Sequence, residues 1–283
     1  MKPPSLASRI AGHLVLVLAC AFAVYPVLLV LKKALSPGQQ FDLSLSPIPT
    51  SITLSHFGDV IGATDPGSGH WLFGRQLANS LLVAGLTTIL GVTASCTAAY
   101  ALSRHRFPGR RSSMGAFLAV QMFPATLLLI PLYVLLDRLG LLNQLLGLTL
   151  VYSTTAIPFC VWTLKGYFDT LPRELEEAAR IDGAGPFGVF FRVVLPLSRP
   201  AIAVTALFSF MTAWNEFILA GTFMSRQESF TLPVLIHQYI GQHDAEWGHF
   251  AAGAILVSLP VMALFYALQR HLVSGLTAGG VKG

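Results

Sequence analysis

The sequence predicts an all-α polytopic membrane protein with six transmembrane helices, and three observations carry that prediction. Of its 283 residues, 54% are hydrophobic and only 11% are charged, whereas soluble domains carry about 25% charged residues. Apolar runs of about twenty residues, long enough to cross a bilayer core as a helix, recur along the chain. The runs are continuous rather than alternating, which excludes barrel strands. Lipid offers no partner to backbone N–H and C=O groups, so such runs must be helical.

Taken in order, residues 1–9 form a short basic N-terminus. The first span, Ile10–Leu31, has Arg9 before it and Lys32-Lys33 after it. Lys2, Arg9 and Ala21-Phe22-Ala23 resemble a signal peptide with its cleavage site. The apolar run continues to Leu31, too long for a signal core, so the segment reads as an uncleaved span. Residues 32–76 form a loop rich in Pro, Ser and Gly. A transmembrane core of five helices follows over 77–272: Leu77–Leu102, Met114–Leu136, Leu145–Leu164, Ala201–Met224 and Phe250–Leu268. Within it lie a polar segment at 165–200 and a second long loop at 225–249. A tail, 273–283, ends the chain. Pro26, Pro124, Pro131, Pro158 and Pro260 fall inside spans, where they are expected to kink the helices.

Charge sets the expected orientation. With both termini inside, the outer segments hold five basic residues, Lys32, Lys33, Arg75, Arg138 and Arg226. The other thirteen of the 18 Lys and Arg fall inside. That asymmetry satisfies the positive-inside rule for an inner-membrane protein and makes 165–200 cytoplasmic. The net charge of +5 is then a topology signal, not a nucleic-acid one.

The segment 165–200 is the polar anomaly. Residues 169–183, "DTLPRELEEAARIDG", read as a short helix. Pro172 suits its first turn. Glu174, Glu176 and Glu177 sit near the positive end of the dipole. Leu175, Ala178 and Ala179 share a narrow apolar face, and Gly183 is a stop that tolerates positive φ. Pro186 opens a second helix, "PFGVFFRVVL", ending at Pro196. A helix with a small-residue face fits either a groove on another protein or the membrane surface as an amphipathic connector; the physics alone leaves both open.

Glu177-Ala178-Ala179, Gly183, Val193 and Leu195-Pro196 stand at the spacing of the EAA loop. Further on come "AWNEFILA" (213–220), "FTLPV" (230–234), "WGHFAAGAILVSLP" (247–260) and "GLTAGGVKG" (275–283). With these motifs the chain resembles ABC importer permeases of the carbohydrate-uptake class, and among them the six-span permease subunits for maltose and maltodextrin. Val193 stands where the family has Ile, a conservative departure. The resemblance implies an ABC type I importer architecture with a cytoplasmic coupling helix docked on a separate ATPase. Glu177 would be the charged contact, Ala178 and Ala179 would permit close approach, and Gly183 would make the turn. Val193, Leu195 and Pro196 would lead back into the fifth span. The implied partners are a second homologous permease, two cytoplasmic ATPase subunits carrying ATP and Mg, an external sugar-binding protein and membrane lipid. The tail residues Gly279, Gly280 and Lys282 would lie along the ATPases. The loop tip with Tyr239, Gly241, Gln242, His243 and Asp244 would meet the binding protein.

The chain itself is not expected to be an enzyme or to bind a cofactor. The nearest approach to a phosphate-binding loop, "GLTAGGVK", has Val281 where the lysine is needed and no helix after it. His237, His243 and His249 share the last loop with Asp244 and Glu246, but at irregular spacing, so no metal site is expected. Glu216 is an acid well inside a span, so it must face a cavity or a partner helix. Trp214, Asn215 and Glu216 are read as lining the translocation path, with an interhelical hydrogen bond as the alternative. Two other functions remain open: an ion-coupled secondary sugar transporter, which needs intramembrane ionisable groups, and a membrane scaffold that recruits a cytoplasmic partner.

Overall fold

The structure is a computed structural model. It describes residues 6–41, 44–241 and 245–280, with side chains at all of these except 125 and 270–280. Among the described residues the regular structure is helical, apart from two isolated bridges, Thr64 with Trp71 and Ile240 with Ala245. Helix α1 spans Leu6–Leu35, α2 Ser55–Ile61, α3 Leu72–Arg104 and α4 Arg110–Gln121. A short 3₁₀ turn at Ala125–Leu128 leads into α5, Leu129–Arg138, and α6 covers Leu145–Thr170. Then come α7, Arg173–Ile181, and α8, Pro186–Val189, which runs through a π-helical turn, Phe190–Val194, into α9, Leu195–Leu197. The chain closes with α10 Arg199–Trp214, α11 Ile218–Phe223, α12 Leu232–Gln238 and α13 Trp247–Gly280.

Among the described residues, four helices are long and apolar enough to cross a membrane: α1, α3, α6, and α13 over Trp247–Gln269. Two bent pairs bring the number to six if each is one span. One pair is Arg110–Gln121 with Thr126–Arg138, bent by 89°. The third expected span, Met114–Leu136, is thus broken in its middle. Pro124 stands at the break, where it supplies no N–H and disfavours helical backbone at the residue before it. The other pair is Pro186–Leu197 with Arg199–Trp214, bent by 79°. The second helix of 165–200 therefore runs one residue past Pro196, and the corner falls at Ser198 between Pro196 and Pro200. The fifth expected span, Ala201–Met224, is interrupted as well, since α10 ends at Trp214 and α11 begins at Ile218. By contrast Pro26, Pro158 and Pro260 lie within unbroken helices.

The chain forms two compact units, each discontinuous in sequence: Met1–Phe73 with Leu235–Leu259, and Gly74–Val234 with Pro260–Gly283. In the first unit, α1 presents side chains that are exposed along nearly all of its apolar length, Cys20 included. Here Gln39 caps the start of α13, its Oε1 accepting from Gly248 N–H at 2.9 Å and His249 N–H at 3.2 Å.

In the second unit α6 packs on α10 and α3. A Cβ at Gly91 of α3 would come within 3.0 Å of the Ser209 Oγ of α10, so the glycine makes room for that side chain between the two helices. Cys96, Ala99, Leu164, Phe168, Val189, Phe190, Val194 and Ala201 form one buried cluster, with Ala179 and Leu195 packed against it. Gln76, Asn79 and Ser80, sharing one face of α3, hold the segment before α12. Gln76 donates to Gln227 O, Asn79 to Glu228 O and Phe230 O, and Ser80 Oγ accepts from Leu232 N–H at 2.7 Å.

Candidate functional site

Helix α7 starts at a non-helical Pro172 and carries Glu174 and Glu176 in its first turn. It ends in a Schellman turn. Gly183 N–H donates to Arg180 O at 3.0 Å and Ala184 N–H to Ala179 O at 2.9 Å, with Gly183 at φ +86°. A side chain at 183 would be strained in that left-handed region whatever space surrounds it. Pro186 then sits in the first turn of α8, so turn and second helix meet within three residues.

Glu176 is the fixed point of this element. Its carboxylate accepts from Arg104 Nε at 2.6 Å and from the Tyr100 hydroxyl at 3.3 Å. The two charged side chains are only 7% and 6% exposed. Arg104 also donates to Leu171 O at 3.3 Å and to Ser103 Oγ at 3.0 Å, and Ser103 donates to Asp169 Oδ1 at 2.6 Å. Asp169 pairs with Lys165 one turn earlier on α6. Through this network the last turn of α3, the end of α6 and the start of α7 are bound into one corner. The sequence reading gave Glu176 only a dipole role; its partner lies 72 positions away, with no local signal.

The opposite side of the element is open. Glu177 and Ala178 are exposed, while Ala179 is half-buried against the core. Ile181 is 86% exposed and Phe187 80% exposed, flanking the Gly183 turn. Leu175 and Phe191 are also exposed. Isolated exposed apolar side chains are ordinary, but here large ones gather around one turn. Ile181 and Phe187 were not singled out from the sequence, because in a mostly apolar chain their type carries no information. Val193 lies in the π turn, half-buried beside the fully buried Val194, and Leu195 and Pro196 are half-buried in α9. Single π turns recur at functional sites.

Of the residues expected in the path, Trp214 is 1% exposed and stacks on Phe210 with ring centroids 5.3 Å apart. Asn215 is exposed and Glu216 half-buried. Glu216 is held by its own chain: it accepts from the Tyr152 hydroxyl at 2.5 Å, from Leu219 N–H at 2.9 Å and from Ala220 N–H at 3.1 Å. The carboxylate thus caps α11 and ties the helix break to α6, and these donors offset its desolvation. Replacing Glu216 with Gln removes one acceptor and the charge. We expect about 1–3 kcal/mol of destabilisation, seen as a lower thermal midpoint in detergent and matched by Tyr152→Phe; an unchanged midpoint in both variants refutes the clamp.

Tyr239 is half-buried, 5.4 Å from the His249 ring, and Gly241 is exposed. Gln242, His243 and Asp244 lie outside the described residues, as does Lys282. Gly279 and Gly280 are the last residues of α13.

The sequence profile of the family described as "Binding-protein-dependent transport system inner membrane component" matches residues 89–278. The maltodextrin transport system permease protein of Bacillus subtilis is 39% identical, across 98% of this chain and 97% of its own length. The maltose/maltodextrin transport system permease protein of Escherichia coli K12 is 39% identical, across 100% of this chain and 99% of its own. Among solved structures, a chain of a bacterial ABC transporter that imports the acidic polysaccharide alginate superposes with a TM-score of 0.76 at 23% identity, covering 95% of this chain and 99% of that one. A chain of the alginate transporter in complex with its substrate-bound periplasmic protein gives 0.67 at 15% identity, covering 93% and 94%. The fold is that of ABC importer permeases, and the chain belongs to the family of binding-protein-dependent transport system inner membrane components.

Proposed function

We propose that this chain is one permease subunit of an ATP-driven importer of maltose, maltodextrin or a related glucose oligosaccharide. The observation that carries the coupling role is the α7–α9 element. It is locked to α3 by the buried Arg104–Glu176 pair and presents exposed Ile181 and Phe187 around a Gly183 turn. That is the form of a part held firmly by its own subunit and gripped by another. The element is cytoplasmic, with both termini inside, and docks on one of two ATPase subunits that bind ATP and Mg. Glu177 and Ala178 lie on the docking side. A second homologous permease completes the path, and an external sugar-binding protein delivers substrate to the loop around Tyr239 and Gly241. The sugar assignment rests on relatives that are 39% identical over nearly their whole length.

The ion-coupled alternative needs an available intramembrane acid, and Glu216 is committed to capping α11. The deciding experiment reconstitutes the complex with its ATPase, partner permease and binding protein, then measures ATP hydrolysis against a sugar panel. We expect maltodextrin-loaded binding protein to stimulate hydrolysis. Uptake that proceeds without ATP on an ion gradient, or a complex indifferent to glucose oligomers, overturns the proposal.

A further inference from the structure

His56 and Asp59 lie one turn apart on α2, and His249 lies in the first turn of α13, all within the first compact unit. One donor atom from each lies within 4.8 Å of those of the other two. His249 Nε2 is 3.1 Å from Asp59 Oδ2, and its Nδ1 is 2.5 Å from Glu246 Oε2. With the Nδ1 proton given to Glu246, Nε2 turns a lone pair toward a carboxylate oxygen. Two acceptors at that distance need either a proton or a metal ion between them.

His56 is buried, and a Cβ at residue 248 would come within 2.5 Å of its ring, so Gly248 makes the space it occupies. Its Nε2 is 2.9 Å from Ser36 O. A carbonyl only accepts, so Nε2 carries the proton and the Nδ1 lone pair accepts from the Gln39 side-chain amide at 3.3 Å. Each imidazole therefore has one nitrogen held by an oxygen acceptor, while the second faces the Gln39 amide in His56 and the Asp59 carboxylate in His249. That is the arrangement in which outer partners orient metal-bound histidines.

We propose that His56, Asp59 and His249 bind a divalent transition-metal ion of the zinc class, with Glu246 and the Ser36 carbonyl orienting the two imidazoles. Two imidazoles and a carboxylate suit zinc. Bonds of about 2.0–2.2 Å in a tetrahedron separate ligand atoms by about 3.3 Å, close to the spacing of His249 and Asp59. On binding, His56 Nδ1 exchanges the Gln39 amide for the ion. The ion then ties α2 to the start of α13.

The test is Co2+ titration of the full-length chain in its transporter complex, purified without a polyhistidine tag, followed by the visible absorption of tetrahedral Co2+ and by competition with Zn2+. We expect one saturable Co2+ per chain, displaced by Zn2+. Asp59→Asn should abolish it, and since the Asp59 side chain is 62% exposed, this variant keeps the fold. Glu246→Gln should weaken binding about 10–100-fold, while His70→Ala, an exposed histidine elsewhere in the unit, should change nothing. No saturable uptake by the unsubstituted protein overturns the site and leaves a protonated His249 between two carboxylates. Undiminished binding by Asp59→Asn overturns it as well.

Discussion

Ile181→Asp and Phe187→Asp, singly and together, are expected to abolish co-purification of the ATPase subunits and ATP-driven uptake while the permease still inserts and folds. Both side chains are more than three-quarters exposed, so neither substitution removes a contact within the chain. At an interface each would bury a large apolar group worth about 1.5–3 kcal/mol, which is about 10–100-fold in affinity per residue. A carboxylate placed in an apolar groove adds a desolvation cost. Pull-down of the ATPase from detergent extracts, with the thermal midpoint of the permease alone as control, reads both effects. Co-purification at the unsubstituted level in the double variant would remove the α7–α8 turn from the docking surface.

Arg104→Met is the second large effect, and it acts inside the chain. Among the described residues it leaves the buried Glu176 carboxylate with the Tyr100 hydroxyl at 3.3 Å. Removing one member of a buried ion pair costs about 3–5 kcal/mol. We expect α7 to come away from the end of α3, and hydrogen exchange in residues 173–184 to rise well before the rest of the unit responds. The double replacement of Arg104 and Glu176 by Met should recover most of the stability, since well-packed apolar substitutes for buried pairs are often neutral or better. It should not recover the link to Leu171 and Ser103, so transport should stay impaired. If Arg104→Met exchanges at the native rate, the pair is not what holds α7.

Legibility in the sequence followed the range of the interaction. The apolar runs, the turn at Gly183 and the start at Pro186 depend on neighbours within a few residues, and all were visible. Pro124 was visible too, yet it was read as a kink where the structure has a break of 89°. The interruption after Trp214 was not visible, because hydropathy continues across it. It depends on a carboxylate that caps α11 and reaches Tyr152, 64 positions earlier. The Arg104–Glu176 anchor and the His56–Asp59–His249 cluster were hidden for the same reason. His249 was noticed, but beside His237 and His243 on its own loop, while Asp59 lies 190 positions away. In the α7–α9 element, the motif pointed to Glu177 and the alanines, and the packing added which neighbours face inward and which face out.

The corner at Ser198 makes the two helices it joins a bell crank. The arm of 186–197 is about 18 Å long and that of α10 about 24 Å at 1.5 Å per residue. They meet at 79°, around a serine that is fully buried. In a crank of this shape a shove across the free end of the short arm would swing the long one. A rotation of only about 5° about the corner carries the far end of α10, next to the Glu216 clamp, through about 2 Å. Stiffness at Ser198 is therefore what would carry such a turn from one arm to the other, and a flexible residue pair inserted at the corner would let the short arm turn with no motion at the other end.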